Sequence, residues 1–169
     1  MSMLAEACGL TKASFYHHYS SKERLLLDVL QWARENIIQL LADIVENEKL
    51  TVEEKIRKID SKIKKVFFGE TIGCLMATTG TDVAYLDGNL LLPVQAFFDD
   101  WSELMARLIM SVEGIDKLDA DKAGGLIVSD YEGAILLARL YKAPGYVENI
   151  TARMISLVRN PEALKIYAQ

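Results

Sequence analysis

Apolar residues recur at intervals of three and four along almost the whole chain, the spacing that gathers one stripe on one face of an α-helix. From Leu25 the stripe runs through Leu26, Val29, Ala33, Ile37, Leu40, Leu41 and Ile44, which predicts a helix from about Ser21 to Asn47. Ser20 with Glu23 three residues on reads as a capping box at its start, and Thr51 with Glu54 repeats the device. The next stripe is Val52, Ile56, Ile59, Ile63, Val66 and Phe67, with Gly69 as its end. A third helix is expected from Gly73 to Leu86, closed by Asp87-Gly88-Asn89. A long one follows from Leu90 to Val112, with Pro93 tolerated near its first turn and Gly114 as the stop. Asp119 is the expected cap of the next helix, which runs to Tyr141, and Pro144-Gly145 turns the chain. Val147, Ile150, Met154 and Leu157 then line a last helix before Asn160-Pro161. Alternating strand patterns between hairpin turns are missing, so the fold predicted is all-α.

Composition narrows the class. With 169 residues, 51% of them apolar, the chain can bury a self-standing core, and a disordered chain is excluded. Cys8 and Cys74 are too few for a disulfide framework and are expected to be reduced, buried small hydrophobes in a cytoplasmic protein. No charged-then-apolar leader opens the sequence, and no long uninterrupted apolar run is present to span a bilayer, so no membrane partner is expected. Nineteen Lys and Arg against 24 Asp and Glu leave a net charge of −5. Phosphate binding needs local positive charge, so contact with nucleic acid has to come from a small basic patch.

The first 24 residues differ from the rest. A short apolar-periodic piece, Leu4 to Cys8, meets Gly9-Leu10-Thr11, and Lys12 to Tyr19 then forms two turns of helix. A helix-turn-helix needs a glycine for positive φ at the turn, small residues where its helices touch, and polar or aromatic groups on the outward face of the second helix. All three are present. With Phe15 and Tyr19 four apart and facing inward, Lys12, Ala13, Ser14, Tyr16, His17 and His18 are left on or beside the outward face.

The run from Ala5 to Leu25, with its Ala-Glu-Ala, its Gly9-Leu10-Thr11, its Tyr16 four residues beyond Lys12 and its Ser21-Lys22-Glu23, resembles the DNA-binding signature of TetR-type transcriptional regulators without a gap. Gly73-Cys74-Leu75-Met76 also resembles a stretch common in the ligand-binding region of that family. The resemblance implies that Thr11, Lys12, Ser14, Tyr16 and Lys22 reach phosphates, and that Lys12, Ala13, His17 and His18 face base edges in the major groove. It implies a partial DNA-binding domain over residues 1–24, entered at the second of the family's three helices. A helical ligand-binding and dimerisation domain is implied over 25–169. The function implied is a ligand-responsive regulator, a repressor, that binds double-stranded operator DNA as a homodimer and is released by a small-molecule effector. The alternative is a helical ligand-binding or dimerisation protein that no longer binds DNA because the first helix is missing.

For the effector, the resemblance places Met76, Tyr85, Phe97, Trp101, Met105 and Tyr131 around an apolar cavity. Helical spacing alone leaves a packed core equally open, because both need the same apolar faces. Asp82, Asp99, Asp100 and Asp130 leave room for a cationic effector. Gly125, Ser129 and Gly133 stand four apart on one helix face, where small side chains let backbones approach closely, either within one chain or between two. Together with Val147, Ile150 and Met154 they are the expected dimer interface, a two-fold four-helix bundle. The adjacent His17 and His18 point about 100° apart and have no Cys, Asp or Glu cluster beside them, so no metal and no cofactor is expected. No nucleophile or paired carboxylate stands at a catalytic spacing either, so the chain is not expected to be an enzyme. The lysines of the 51–68 segment are read as a solvated face.

Overall fold

The computed structural model describes residues 2–67, 73–83 and 88–169, and among them nine helices and no strand. These are α1 (Ser2–Ala7), α2 (Lys12–His18), α3 (Lys22–Val45), α4 (Val52–Phe67) and α5 (Leu75–Val83). They continue with α6 (Gly88–Met110), α7 (Lys117–Tyr141), α8 (Gly145–Val158) and α9 (Pro161–Tyr167). The all-α prediction holds.

Several boundaries follow from which side chain reaches the orphan amides of a first turn. Thr51 and Glu54 make the expected box: Glu54 Oε2 accepts the Thr51 amide at 2.8 Å and Thr51 Oγ1 accepts the Glu54 amide at 3.3 Å. The cap of α3 is Ser21 rather than Ser20, its hydroxyl accepting the Arg24 amide at 3.1 Å. Likewise α7 is capped by Asp116, which accepts the amide of Asp119, so the expected cap is instead the residue being capped. Gly88 and Asn89 open α6 instead of closing the helix before it, which places Pro93 six residues in, beyond the first turn. The chain also does not stop at Asn160-Pro161: Asn160 accepts the Ala163 amide and Pro161 takes the first helical position, so the pair starts α9. Gly69, Leu86 and Asp87 lie outside the described residues.

The core is centred on α6 and α7, which make the most extensive helix pair, with α3 and α5 against α6 and α8 against both α7 and α4. Leu30, Ile56, Ile59, Phe97, Trp101 and Tyr131 are fully buried there. At roughly 1.5–3 kcal/mol for each large apolar side chain taken out of water, such a set supplies the driving force for the fold. Where α6 and α7 meet, Gly124 lies on the backbone of α6: a Cβ there would stand 2.4 Å from the Ser102 carbonyl oxygen and 2.8 Å from the Ala106 nitrogen. α3, about 36 Å long at 1.5 Å per residue, joins the first two helices to this core and crosses residue 24 without a break. Two ion pairs tie it to α6, Arg34 to Asp100 at 2.7 Å and Glu46 to Arg107 at 2.8 Å. Cys74 is buried as expected, but Cys8 is exposed, because it falls in the turn that closes α1.

Candidate nucleic-acid interface and ligand core

At the N-terminal end, α1 closes on Leu10, whose amide reaches the Ala5 carbonyl at 2.9 Å, and the turn passes through Gly9 at φ +66°. That is left-handed backbone, which glycine adopts without the Cβ clash that penalises other residues. Thr11 then starts α2, its hydroxyl oxygen accepting the Ser14 amide at 3.1 Å. Ala5 from α1 and Phe15 from α2 are buried, and Phe15 meets the half-buried Tyr19 with ring centroids 5.8 Å apart. The inward pair at i and i+4 therefore leaves the opposite face of α2 to solvent. Thr11, Lys12, Ala13, Tyr16, His17, His18 and Lys22 are all exposed, and Ser14 is half-buried. The Lys12 ammonium stands 6.0 Å from the centre of the Tyr16 ring.

Charge is distributed in keeping with that face. Residues 1–24 carry three Lys or Arg against two Glu, whereas the remaining 16 basic residues are outnumbered by 22 acidic ones. The helix-turn-helix is thus mildly basic on an acidic protein, from its lysines and arginine alone. Glu23 and Arg24 are engaged locally: the Glu23 backbone amide and then the Ser21 hydroxyl hold the Glu23 carboxyl below its ordinary range, and Arg24 pairs with Asp28 at 3.2 Å.

In the core, Met76, Phe97, Trp101, Met105 and Tyr131 are all fully buried, while Tyr85 lies outside the described residues. Trp101 is the hub, with Phe97, Tyr131 and Phe67 centred 5.7, 6.0 and 6.2 Å away. The void beside it, walled by Ile37, Leu41, Ile63 and Phe97, is about 10 Å³, room for no more than one water. Among the described residues, the space beside Trp101 is therefore filled. Trp101 Nε1 is unpartnered among the described residues, and the Tyr131 hydroxyl has only the Thr151 hydroxyl near it. Burial pushes the Tyr131 hydroxyl well above its ordinary pKa. Of the four aspartates, Asp100 is taken by Arg34, and Asp130 by Arg153 and the Tyr167 hydroxyl; Asp82 and Asp99 are exposed.

The outward face of α7 carries Leu126, Ser129, Gly133, Leu136 and Leu140, all exposed, with Gly125 half-buried. Nothing lies within 4 Å of where a Cβ would stand on Gly125 or Gly133, so no contact within the protomer accounts for their small size. Val147 and Met154 point into the protomer's own core, at 0% and 3% exposure, and only the half-buried Ile150 of the α8 trio remains near the surface. The α8 stripe is one face, and that face is consumed by packing on α4 and α7.

Two groups escaped the sequence reading. Asp60 on α4 accepts from the Thr151 hydroxyl of α8 at 2.8 Å and pairs with Lys64 at 3.0 Å, while Lys64 reaches Glu148 at 3.2 Å. Glu132 on α7 is largely buried beside Cys74, and burial raises its carboxyl to about 7. Neither stands at a motif spacing. Each sits on the polar edge of an amphipathic helix, where a sequence predicts a solvated charge.

Comparison with known proteins agrees with this architecture. Residues 1–29 match the family described as "Bacterial regulatory proteins, tetR family", and residues 50–153 match "Transcriptional regulator LmrA/YxaF-like, C-terminal domain". The uncharacterized HTH-type transcriptional regulator YvaF of Bacillus subtilis (strain 168) is 39% identical over 59 residues, 35% of this chain and 31% of that protein. The alignment thus spans less than a third of that relative. The HTH-type transcriptional repressor DhaR of Mycobacterium sp. (strain GP1) is 21% identical over 141 residues, 81% of this chain and 70% of that one. Among solved structures, a TetR transcriptional regulator from Legionella pneumophila superposes with a TM-score of 0.84 at 28% identity, over 92% of this chain and 83% of that one. The reduced form of Escherichia coli NemR shares the fold, at TM-score 0.76 and 19% identity over 90% and 82% of the two chains. The matched families and the named relatives are transcriptional regulators, not enzymes. With a family match over 50–153, more than half its length, and the signature helix-turn-helix in front of it, the chain belongs to the TetR family of transcriptional regulators.

Proposed function

We propose that this regulator is a cytoplasmic, ligand-responsive repressor that binds palindromic operator DNA as a homodimer. The observation that carries the reading is the exposed face of α2, where Lys12, Ala13, Tyr16, His17 and His18 stand free on a helix braced from behind by Phe15. A short recognition helix offers such side chains to base edges, while Thr11, Ser14, Tyr16 and Lys22 fix register on the phosphates. Repression is what the name of DhaR says of that relative. No helix among the described residues is long and apolar enough to cross a membrane.

Homodimerisation is supported by the stripe on α7, whose exposed leucines flank glycines with no neighbour. A second copy placed there turns that stripe into the centre of a four-helix contact, with Ile150 at its margin. Ligand response is supported by an orphaned donor in the core, Trp101 Nε1. An unpartnered buried donor costs about 1–3 kcal/mol, and an effector bearing an acceptor removes that cost there. Because the interior is filled, the effector has to part α6 from its neighbours. α3 is tied to α6 through Arg34 and Asp100 and follows directly on the helix-turn-helix in the chain, which is the route proposed for the movement. An effector acts only by its differential affinity for the two arrangements, one of which spaces the helices about 34–36 Å apart for successive major grooves.

The test is fluorescence anisotropy on duplexes taken from the DNA flanking the coding sequence, titrated with salt. Lys22→Ala is expected to weaken binding to every sequence and to lower the slope of log K against log salt by about 0.9, one phosphate contact. His17→Ala is expected to change which sequence is preferred. Equal salt slopes for wild type and Lys22→Ala remove the phosphate assignment. A dimer that binds no duplex at all favours the reading in which operator binding has been lost.

A further inference from the structure

Glu132, on α7, has its Oε1 shut off from bulk water, and that oxygen meets no hydrogen-bond donor among the described residues. The carboxyl lies beside Cys74, at the start of α5, whose S–H is within hydrogen-bond reach. A thiol is a weak donor. Burial, and after it the Glu132 carboxyl, push the Cys74 thiol well above its ordinary range, so it stays protonated and supplies no answering charge. The cation that follows on the same face of α7, Arg139, stands two turns on, about 10 Å along the helix axis. Its Nη1 is turned to Thr78 Oγ1, at 3.4 Å. No other ionisable group among the described residues bears on the Glu132 carboxyl.

The segment that meets this carboxyl is built to turn. α5 packs mainly on α6. Among the described residues, the charged side chains that join its start to α7 are Glu132, against Cys74, and Arg139, whose arm lies so close over Gly73 that a Cβ there would come within 3.1 Å of Nη1. Gly73 itself sits at φ +138°, backbone that glycine adopts readily and other residues rarely, and it is the hinge of the segment. The first turn beyond it hangs on Cys74: the Ala77 amide donates to the sulfur at 3.5 Å and the Thr78 amide to the carbonyl oxygen at 3.0 Å. Met76, fully buried in the hydrophobic core, is carried on that same turn.

We propose that the start of α5 is a proton-operated latch. With its proton, the Glu132 carboxyl lies against Cys74 and holds the segment to α7; loss of the proton turns the segment out about Gly73 and uncovers Met76. The physical reason is desolvation. A neutral carboxyl tolerates a dry site at the cost of a hydrogen bond, whereas a carboxylate needs a cation or several donors, and here it has neither. Water must reach it, and parting the start of α5 from α7 admits that water. Burial raises the carboxyl to about 7 in the closed arrangement, against 4.5 for the ordinary group. A group that titrates higher when closed favours closure below the lower value and loses that preference as pH rises through the higher one. From these two values the balance moves toward the open form about tenfold between pH 6 and pH 8. Every residue of the latch belongs to one chain and no open groove is needed, so it stands whether or not a second copy covers Gly133 and Leu136.

The experiment is amide hydrogen exchange on the full chain, followed by NMR at the Ala77 and Thr78 amides and corrected for base catalysis. Between pH 6 and pH 8 their protection is expected to fall about tenfold in the wild type. In Glu132→Gln, which keeps the shape and cannot ionise, it is expected to stay within about twofold. Dilute urea should leave the wild-type fall unchanged, because a local opening exposes little surface whereas unfolding of the whole chain exposes much. The fall should also be the same at two protein concentrations, which separates it from any effect of pH on dimerisation. Constant protection in the wild type, an equal fall in Glu132→Gln, or a fall that follows urea or protein concentration each overturns the proposal.

Discussion

Replacing Gly124 with alanine adds one methyl group at the point where the backbones of α6 and α7 touch. The new carbon would stand 2.4 Å from the Ser102 carbonyl oxygen, against the 3.4 Å at which ordinary contact begins, so one helix has to retreat by about 1 Å. The obstacle is backbone on a long helix, not the free end of a side chain, and retreat loosens the aromatic contacts that Trp101 makes across the same interface. Against rigid backbone the overpacking cost falls at the upper end of about 1–3 kcal/mol, while alanine returns about 1 kcal/mol of helix propensity. A net loss of about 2 kcal/mol is expected, a fall in Tm of roughly 4–8 °C for a chain of this size. Gly125 provides the control, one residue away on the same helix with nothing within 4 Å of its would-be Cβ. Gly125→Ala is therefore expected to stabilise the protomer by about 1 kcal/mol through propensity alone, read at a protein concentration low enough that the proposed dimer is dissociated. Urea unfolding followed by circular dichroism, at one fixed protein concentration, measures both. If the two variants shift the midpoint alike, or if Gly124→Ala is at least as stable as wild type, the close approach of α6 and α7 is not as described.

Three further outcomes are expected. Glu132→Gln should flatten the pH dependence of stability: the folded carboxyl is raised to about 7 from 4.5, so stability present below about pH 4.5 is lost as pH rises through 7. The variant should accordingly match wild type near pH 4.5 and exceed it by up to about 3 kcal/mol at pH 8 in thermal melts. Lys142 caps α7 in left-handed backbone at φ 52°, a conformation that costs a side-chain-bearing residue about 1–2 kcal/mol. Lys142→Gly should raise the denaturation midpoint by the equivalent of about 1 kcal/mol, and an unchanged or lowered midpoint would count against that cap. The Arg34–Asp100 pair is about one-third exposed at both ends, so a double-mutant cycle with Arg34→Ala and Asp100→Ala should give a coupling near 1 kcal/mol, diminished by salt. A coupling of zero would mean that the Arg34–Asp100 pair adds nothing to the other contacts holding α3 to α6.

Much of the site was readable before any coordinates because its signals are local. Gly9 turns the chain at positive φ, and Phe15 and Tyr19, four residues apart, meet on the inner side of α2, as their spacing implies. The Thr51–Glu54 box is legible for the same reason. Where two candidates for one local role stood close together, the reading slipped: Ser20 for Ser21, Asp119 for Asp116. Asn160-Pro161 was taken for an ending, although a capping Asn followed by Pro at the first helical position is also how a helix begins. The stripe of Val147 and Met154 was correctly placed on one face, but periodicity does not say whether an apolar face meets its own chain or another.

Helical class, the helix-turn-helix and its outward residues thus follow from the order of amino acids, because they rest on interactions between residues three and four apart. Which glycine carries the weight does not. Gly124 and Gly125 are equivalent to any periodic pattern, yet a rotation of about 100° presses one against α6 and leaves the other in the open. The same holds for Glu132, an ordinary surface glutamate by sequence. Its proton affinity is raised by burial, in a pocket that packing closes by bringing Cys74 beside it across 58 residues of chain, because desolvation depends on what surrounds a group in space.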